Sequence, residues 1–254
     1  MSAPLVLLHG FAGGPDSLDS LRGSLRPASI LAPRLFGHGA DGATEPTRSF
    51  DSEIDRLALA LAAHAAGAPV HLAGYSLGAR FALGLIVRHP RLVSRATLVG
   101  VNPGLSQFDR PARQAHDAEW IHLLEASQPP GALPLHAFAD RWLAQDLFRS
   151  QQALPDEVRA RRRALLLSNT APGLARSLRH HGLSQMPDWR PQLHAVRIPV
   201  TLVAGALDPK FTALAREAAR DLVHAHVRII DGAGHDVVLE RPRALAEVIN
   251  QETP

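Results

Sequence analysis

The chain contains no cysteine. That absence removes disulfides, thiolate nucleophiles and cysteine-ligated zinc from consideration, and it leaves the redox compartment open. Lysine is almost missing as well: Lys210 is the only one, so the formal net charge of +3 rests on arginines spread along the sequence. The single basic run, Arg161, Arg162 and Arg163, reads as a solvated helix face, and no nucleic-acid partner is expected. Long apolar runs are lacking too. Leu57 to Ala63 and Ile198 to Ala206 are the longest, far short of the roughly 20 residues that cross a bilayer, so no membrane partner is expected. The chain reaches a strand-like run at Leu5 to Leu8 with no basic leader, apolar h-region or cleavage site before it, which makes the cytoplasm the expected compartment. Histidines occur in Gly37-His38-Gly39 and as the pair His180-His181, but no spacing matches a metal site. Neither a metal nor a cofactor is expected.

What is present fits a globular enzyme. At 254 residues, with 46% apolar and 20% charged residues, the chain can bury a substantial core and reads as one domain. Strand-like runs recur at Leu5 to His9, Ile30 to Leu31, Val70 to Ala73, Ala96 to Val99, Val200 to Ala204 and Val227 to Ile230. Several are continuously apolar, as strands covered on both faces are. Helical patterns at Asp51 to Ala66, Leu77 to Arg88, Thr212 to His224 and Arg243 to Asn250 alternate with them, which predicts an α/β fold with a mainly parallel sheet flanked by helices. The stretch 105–190 breaks this rhythm. It lacks clear strands, carries Pro129, Pro130, Gly131 and Pro134, and holds all three tryptophans, Trp120, Trp142 and Trp189. It is expected to form a helical cap over the C-terminal edge of a core made of residues 1–104 and 191–254; alternatively, the tryptophans only pack the insertion's own small core.

Four local patterns carry chemistry. Gly74-Tyr75-Ser76-Leu77-Gly78 is a G-x-S-x-G sequence between a strand and a helix, the context of a nucleophile elbow, in which small residues let strand and helix cross closely. His9-Gly10-Phe11, with Gly13 and Gly14, ends the first strand and can turn a backbone N–H toward Ser76. The expected oxyanion hole is therefore made by the amides of Phe11 and Leu77, each such donor contributing about 3 to 4 kcal/mol to transition-state stabilisation. Asp208 follows Gly205-Ala206-Leu207 at a strand end and can orient a base. His235 follows Gly232-Ala233-Gly234 and can serve as that base. Read singly, Asp208 would be the N-cap of the helix near Phe211 and His235 a surface histidine, but neither reading accounts for the other patterns. Ser, Asp, His is the chain order of an α/β-hydrolase triad.

These motifs, with Gly37-His38-Gly39, Ala79-Arg80, Asn102-Pro103-Gly104-Leu105 and Asp208-Pro209-Lys210-Phe211, resemble the α/β-hydrolase superfamily and within it the 2-succinyl-6-hydroxy-2,4-cyclohexadiene-1-carboxylate synthases of menaquinone biosynthesis. The resemblance spans nearly the whole chain. In the cap it rests on Arg110-Pro111-Ala112-Arg113 with Asp117, Phe138, Trp142, Leu147-Phe148 and the run Gly173 to Arg179. It implies a lyase in which Ser76, activated by His235, helps remove a ring proton, a conjugated oxyanion forms and pyruvate leaves without a covalent acyl-enzyme. It also implies a small anionic carboxylate substrate met by Arg80 and Arg113, with Tyr75 and Trp142 lining the pocket. Alternatively Arg80 and Arg113 are helix-surface residues. The chain departs from the family pattern at Leu166, where an arginine is usual, at Val238 in place of histidine, and at Asp146 in place of proline. Arg163, one turn before Leu166, is the candidate replacement for the missing guanidinium. Two other classes of function remain open: a carboxylic-ester or thioester hydrolase acting through an acyl-serine, and a small-molecule binder that retains the fold.

Overall fold

The computed structural model describes residues 3–26, 29–126 and 134–251. Pro129, Pro130 and Gly131 lie outside the described residues. The strands are β1 (Leu5–Leu8), β2 (Ile30–Leu31), β3 (Val70–Tyr75), β4 (Val93–Val99), β5 (Val200–Gly205) and β6 (Ala225–Ile230). The α-helices are α1 (Asp19–Arg22), α2 (Phe50–His64), α3 (Leu77–Arg88), α4 (Arg110–Glu125), α5 (Pro134–Leu143), α6 (Asp156–Leu167), α7 (Ala171–His181), α8 (Pro209–Asp221), α9 (Val237–Glu240) and α10 (Pro242–Asn250). No described helix is long and apolar enough to cross a membrane.

The strands form one six-stranded sheet in the order β2-β1-β3-β4-β5-β6. Each of the pairings is parallel, so the strands' C-terminal ends share one edge. The chain order reverses between β1 and β3, and the crevice beyond such a switch point is where open parallel sheets bind ligands.

The continuous apolar runs are explained by burial on both faces. Val6, Leu8, Leu72, Ala96, Leu98 and Leu202 point into one core, which α3 shares through Leu77, Phe81 and Leu85. Their strand neighbours Leu5, Leu7, Ala73, Tyr75, Val99 and Val203 point to the opposite core, closed by Leu245 and Ile249 of α10. This is the period-two alternation of a pleated strand, with both sides dry. The helix boundaries follow from capping. Ser49 accepts from the Ser52 amide at 3.2 Å and opens α2 at Phe50; α2 ends before Ala66 and Gly67, both at positive φ. The helix expected from Thr212 starts three residues earlier, because Pro209 occupies its first turn and Asp208 caps it through the Phe211 amide at 3.1 Å.

Helices α4 to α7 build a third core of Leu124, Phe138, Leu166, Leu174 and Leu178, on which Phe11 and Trp142 also pack. Trp120 and Trp142 belong to this cluster, whereas Trp189 packs in the sheet-face core with Leu183, Met186 and Leu193. Arg176 of α7 stitches the layers together by donating to the carbonyls of Ala43, at 2.6 Å, and Glu45.

Besides His235, four histidines are buried among the described residues: His9, His38, His71 and His181. His71 pairs with Thr97 Oγ1 on the adjacent strand at 3.0 Å, and His181 Nε2 lies 3.1 Å from the Arg48 carbonyl. Desolvation is the main cause that pushes their pKa values down, to about 3 for His9, His71 and His181 and about 4 for His38. A histidine with a depressed folded-state pKa protonates first in the unfolded chain. Its contribution to stability is complete above about pH 6.5 and drains away as pH falls toward its folded-state value. Between pH 7 and pH 5 the loss should reach about 2 kcal/mol per buried histidine. Denaturant titrations at the two pH values check this; equal unfolding free energies would contradict it.

Candidate active site

β3 ends at Tyr75 and α3 begins at Leu77, so Ser76 alone makes the turn between them. It does so at φ 51° and ψ −107°, a region that a residue with a Cβ enters only under strain of about 1 to 3 kcal/mol. The surroundings hold it there. The Ser76 amide donates to the Val99 carbonyl on β4 at 2.8 Å. Gly74 and Gly78 let the backbones cross closely: a Cβ on Gly74 would strike the Gly78 carbonyl, and one on Gly78 would strike that of Leu8. The hydroxyl is thereby presented beyond the strand ends.

Two other strand ends deliver the partners. Asp208 follows β5 and His235 follows β6. His235 Nε2 lies 3.1 Å from Ser76 Oγ, and His235 Nδ1 lies 3.0 Å from Asp208 Oδ2. Both partners are buried, and the Phe211 ring packs on the imidazole with centroids 4.2 Å apart. The two carboxylate oxygens divide the work. Oδ1 caps α8 through the Phe211 amide while Oδ2 faces the imidazole, so the N-cap role and the histidine contact coexist. A carboxylate on Nδ1 fixes the tautomer with a proton there, which leaves Nε2 free to accept the serine proton.

The loop after β1 is held by two neutral imidazoles. His9 Nε2 accepts from the Leu35 amide at 3.1 Å, and its Nδ1 donates to the Gly10 carbonyl at 2.9 Å. His38 Nε2 accepts from the Ala12 amide at 3.1 Å, while its Nδ1 donates to the Phe36 carbonyl at 3.0 Å. Asn169, just after α6, accepts from the Gly39 amide at 2.7 Å and donates to the Ala12 carbonyl at 3.3 Å. The Gly37-His38-Gly39 motif thus fastens the loop that carries Phe11. The amides of Phe11 and Leu77 themselves donate to no acceptor among the described residues.

A cavity of about 100 Å³ opens over Ser76 and His235 and brings together Phe11, Tyr75, Arg80, Arg113 and Trp142. Arg80 forms no ion pair with a carboxylate among the described residues; its Nη1 donates to the His181 carbonyl at 3.0 Å, and Asp117 acts on it only through its charge. Desolvation, then the neighbouring Arg113, lowers its pKa to about 9, so it is still a cation at neutral pH. Arg113 is braced by Asp117 at 2.8 Å. Tyr75 is pushed well above the usual tyrosine range by burial, then by Asp236, and keeps its phenolic proton.

The basic run of α6 is not one solvated face. Arg161 pairs with Asp19 at 3.2 Å and Arg163 with Asp140 at 2.8 Å, both outside the cavity. Arg162 turns inward and lines it. Arg162 Nε donates to Gln151 Oε1 at 3.0 Å, and its guanidinium lies 4.9 Å over the Phe148 ring. Arg163 therefore does not supply the guanidinium that Leu166 lacks; Leu166 is buried in the third core, and Arg162 occupies the pocket instead. The sequence held a hint in the three consecutive arginines, but helical phase decides which one faces inward. Of the other landmarks, Lys210 is exposed, Asp146 pairs with Arg149 on the surface, and Asn102 accepts from the Gly104 amide at 2.9 Å.

A family model described as the alpha/beta hydrolase family matches residues 5–248. A 2-succinyl-6-hydroxy-2,4-cyclohexadiene-1-carboxylate synthase of Enterobacter sp. (strain 638) is 32% identical, over 97% of this chain and 90% of that protein. The solved structure of MenH from S. aureus superposes with a TM-score of 0.89 at 24% identity, covering 98% of this chain and 92% of that one. A thermophilic esterase from Thermogutta terrifontis superposes with a TM-score of 0.80 at 19% identity, covering 98% and 88%. At these identities the structural matches speak for the fold.

The elbow makes a stability prediction. Gly78→Ala should cost about 3 kcal/mol or more, because its Cβ meets the Leu8 backbone, which cannot rotate away. Gly23→Ala, at φ −62° with only ordinary contacts, should cost nothing measurable. Paired urea titrations check the contrast, and a tolerated Gly78→Ala would show that strand and helix do not cross this tightly.

Proposed function

This chain belongs to the alpha/beta hydrolase family and, within it, to the 2-succinyl-6-hydroxy-2,4-cyclohexadiene-1-carboxylate synthases, and from that premise we propose how its residues eliminate pyruvate in menaquinone biosynthesis. The observation that carries the proposal is the placement of three guanidinium groups, those of Arg80, Arg113 and Arg162, around the cavity that holds Ser76 and His235. An uncharged ester gains nothing from such a lining, whereas a substrate with several carboxylates is held by it through charge-assisted, bidentate hydrogen bonds. This favours the lyase over the ester or thioester hydrolase.

In the proposed mechanism the anionic substrate is positioned by the arginines, with Tyr75 and Trp142 as apolar walls. His235 Nε2 takes the proton of Ser76 Oγ, and Oγ takes a proton from the substrate ring. Asp208 stabilises the imidazolium that forms. Negative charge then spreads through the conjugated system onto an oxygen, where the Phe11 and Leu77 amides, without protein acceptors, are the donors at hand. The electron pair moves on to break the carbon–oxygen bond to the pyruvyl group, and His235 returns its proton to the leaving fragment. No acyl-serine forms. Helices α4 to α7 act as the cap that closes this pocket and carries Arg113, Trp142 and Arg162.

Purified protein should release pyruvate from the cyclohexene precursor, and Ser76→Ala and His235→Ala should each lower kcat by about 10² to 10⁴. A wild-type rate no faster than spontaneous elimination, together with burst kinetics on p-nitrophenyl esters, would replace the lyase by the acyl-serine hydrolase. Arg80→Ala should reduce kcat/KM by roughly ten- to a hundredfold, as expected for lost hydrogen bonds to a charged group. An unchanged kcat/KM would remove Arg80 from the substrate's contacts.

A further inference from the structure

Arg162 differs from Arg80 in one respect: its charge is already answered from within the protein. Arg162 Nη1 lies 3.1 Å from Asp236 Oδ2, with the two side chains only 15% and 4% exposed. Asp236 does not line the cavity over Ser76; it lines a neighbouring one of about 400 Å³, of which Arg162 is also a wall. The carboxylate therefore stands behind the guanidinium as seen from the site. Its other oxygen caps α9 by accepting from the Leu239 amide at 3.2 Å, so backbone fixes it in place. It also directly follows His235 in the chain.

We propose that Asp236 is a built-in counter-anion, a positioning residue that competes with a bound carboxylate for Arg162 and so keeps the pocket's hold on anionic product weak enough for release. The inference rests on the anion-binding reading of the pocket given above. Gln151 and the Phe148 ring already orient Arg162 without Asp236. What Asp236 adds is charge: a carboxylate entering from the cavity side meets a cation whose field is weakened by the carboxylate behind it. In a partly buried site, where the effective dielectric is far below that of water, such neutralisation is large. Asn at this position can keep the cap on α9 through its single oxygen, its amide nitrogen then facing Arg162, which Gln151 and the Phe148 ring still hold. Asp236→Asn thus removes the counter-charge together with the acceptor for Arg162, and leaves the α9 cap in place.

The test is calorimetric titration of the full chain with pyruvate, with succinate as a second probe. Asp236→Asn should tighten pyruvate binding by about tenfold, equivalent to about 1.4 kcal/mol, and should lower kcat where product release limits turnover. In an Arg162→Gln background, adding Asp236→Asn should change affinity by less than about twofold. Asp236→Ser, which also caps α9, provides a second variant if the amide does not fold. Affinity for pyruvate that is unchanged or weaker in a folded Asp236 variant overturns the counter-anion. Failure of the wild type to bind either anion, or equal binding by wild type and Arg80→Ala, overturns the anionic-pocket reading itself and the inference with it.

Discussion

Everything at the C-terminal edge of the sheet depends on one close crossing, that of β3 and α3 with the end of β1. Gly74 and Gly78 have no room for side chains, and their contact with each other and with Leu8 forces the chain to reverse at Ser76. The strain of that reversal is modest beside the burial that offsets it, since nearly every residue of α3 from Leu77 to Ile86 is buried. A hydroxyl held this way cannot retreat into a lower-energy backbone conformation. The parallel sheet then does the rest, because β5 and β6 end at the same edge and deliver Asp208 and His235 within hydrogen-bonding distance of a fixed target.

How much of this was legible in the sequence depends on the kind of signal. The sheet was readable because double burial leaves continuous apolar runs, and the elbow was readable because steric exclusion leaves glycines at fixed spacing. The start of α8 lies before the apolar periodicity that begins at Thr212, and the N-cap and imidazole-facing readings of Asp208, set against each other in the sequence, are both true because each uses a different oxygen. Trp189 was assigned to the insertion by its position in the chain, whereas it packs against the sheet-face core beside Gly84. Arg162 was hidden for a different reason. Three adjacent arginines on a helix point in three directions, and the helix's phase against the pocket, together with their partners Asp19, Asp140 and Asp236, is a tertiary fact that the run itself does not carry.

The electrostatics of the pocket are graded rather than uniformly positive. Among the described residues Arg80 hydrogen-bonds a carbonyl and no carboxylate, Arg113 is braced by Asp117, and Arg162 by Asp236. The least compensated cation sits on α3, one turn past Ser76, while the two compensated ones are on helices of the α4–α7 layer. The least compensated charge is therefore carried by the same helix that begins at the serine turn.

Asn169 gives this architecture a structural corollary. It lies between α6 and α7, yet it grips Gly39 on one core loop and Ala12 on another, the latter also bound by His38. The overlying helices and the core loops are thus tied through one side chain: a layer without an amide at this point would leave the Gly39 amide without this acceptor and the Ala12 carbonyl without this donor.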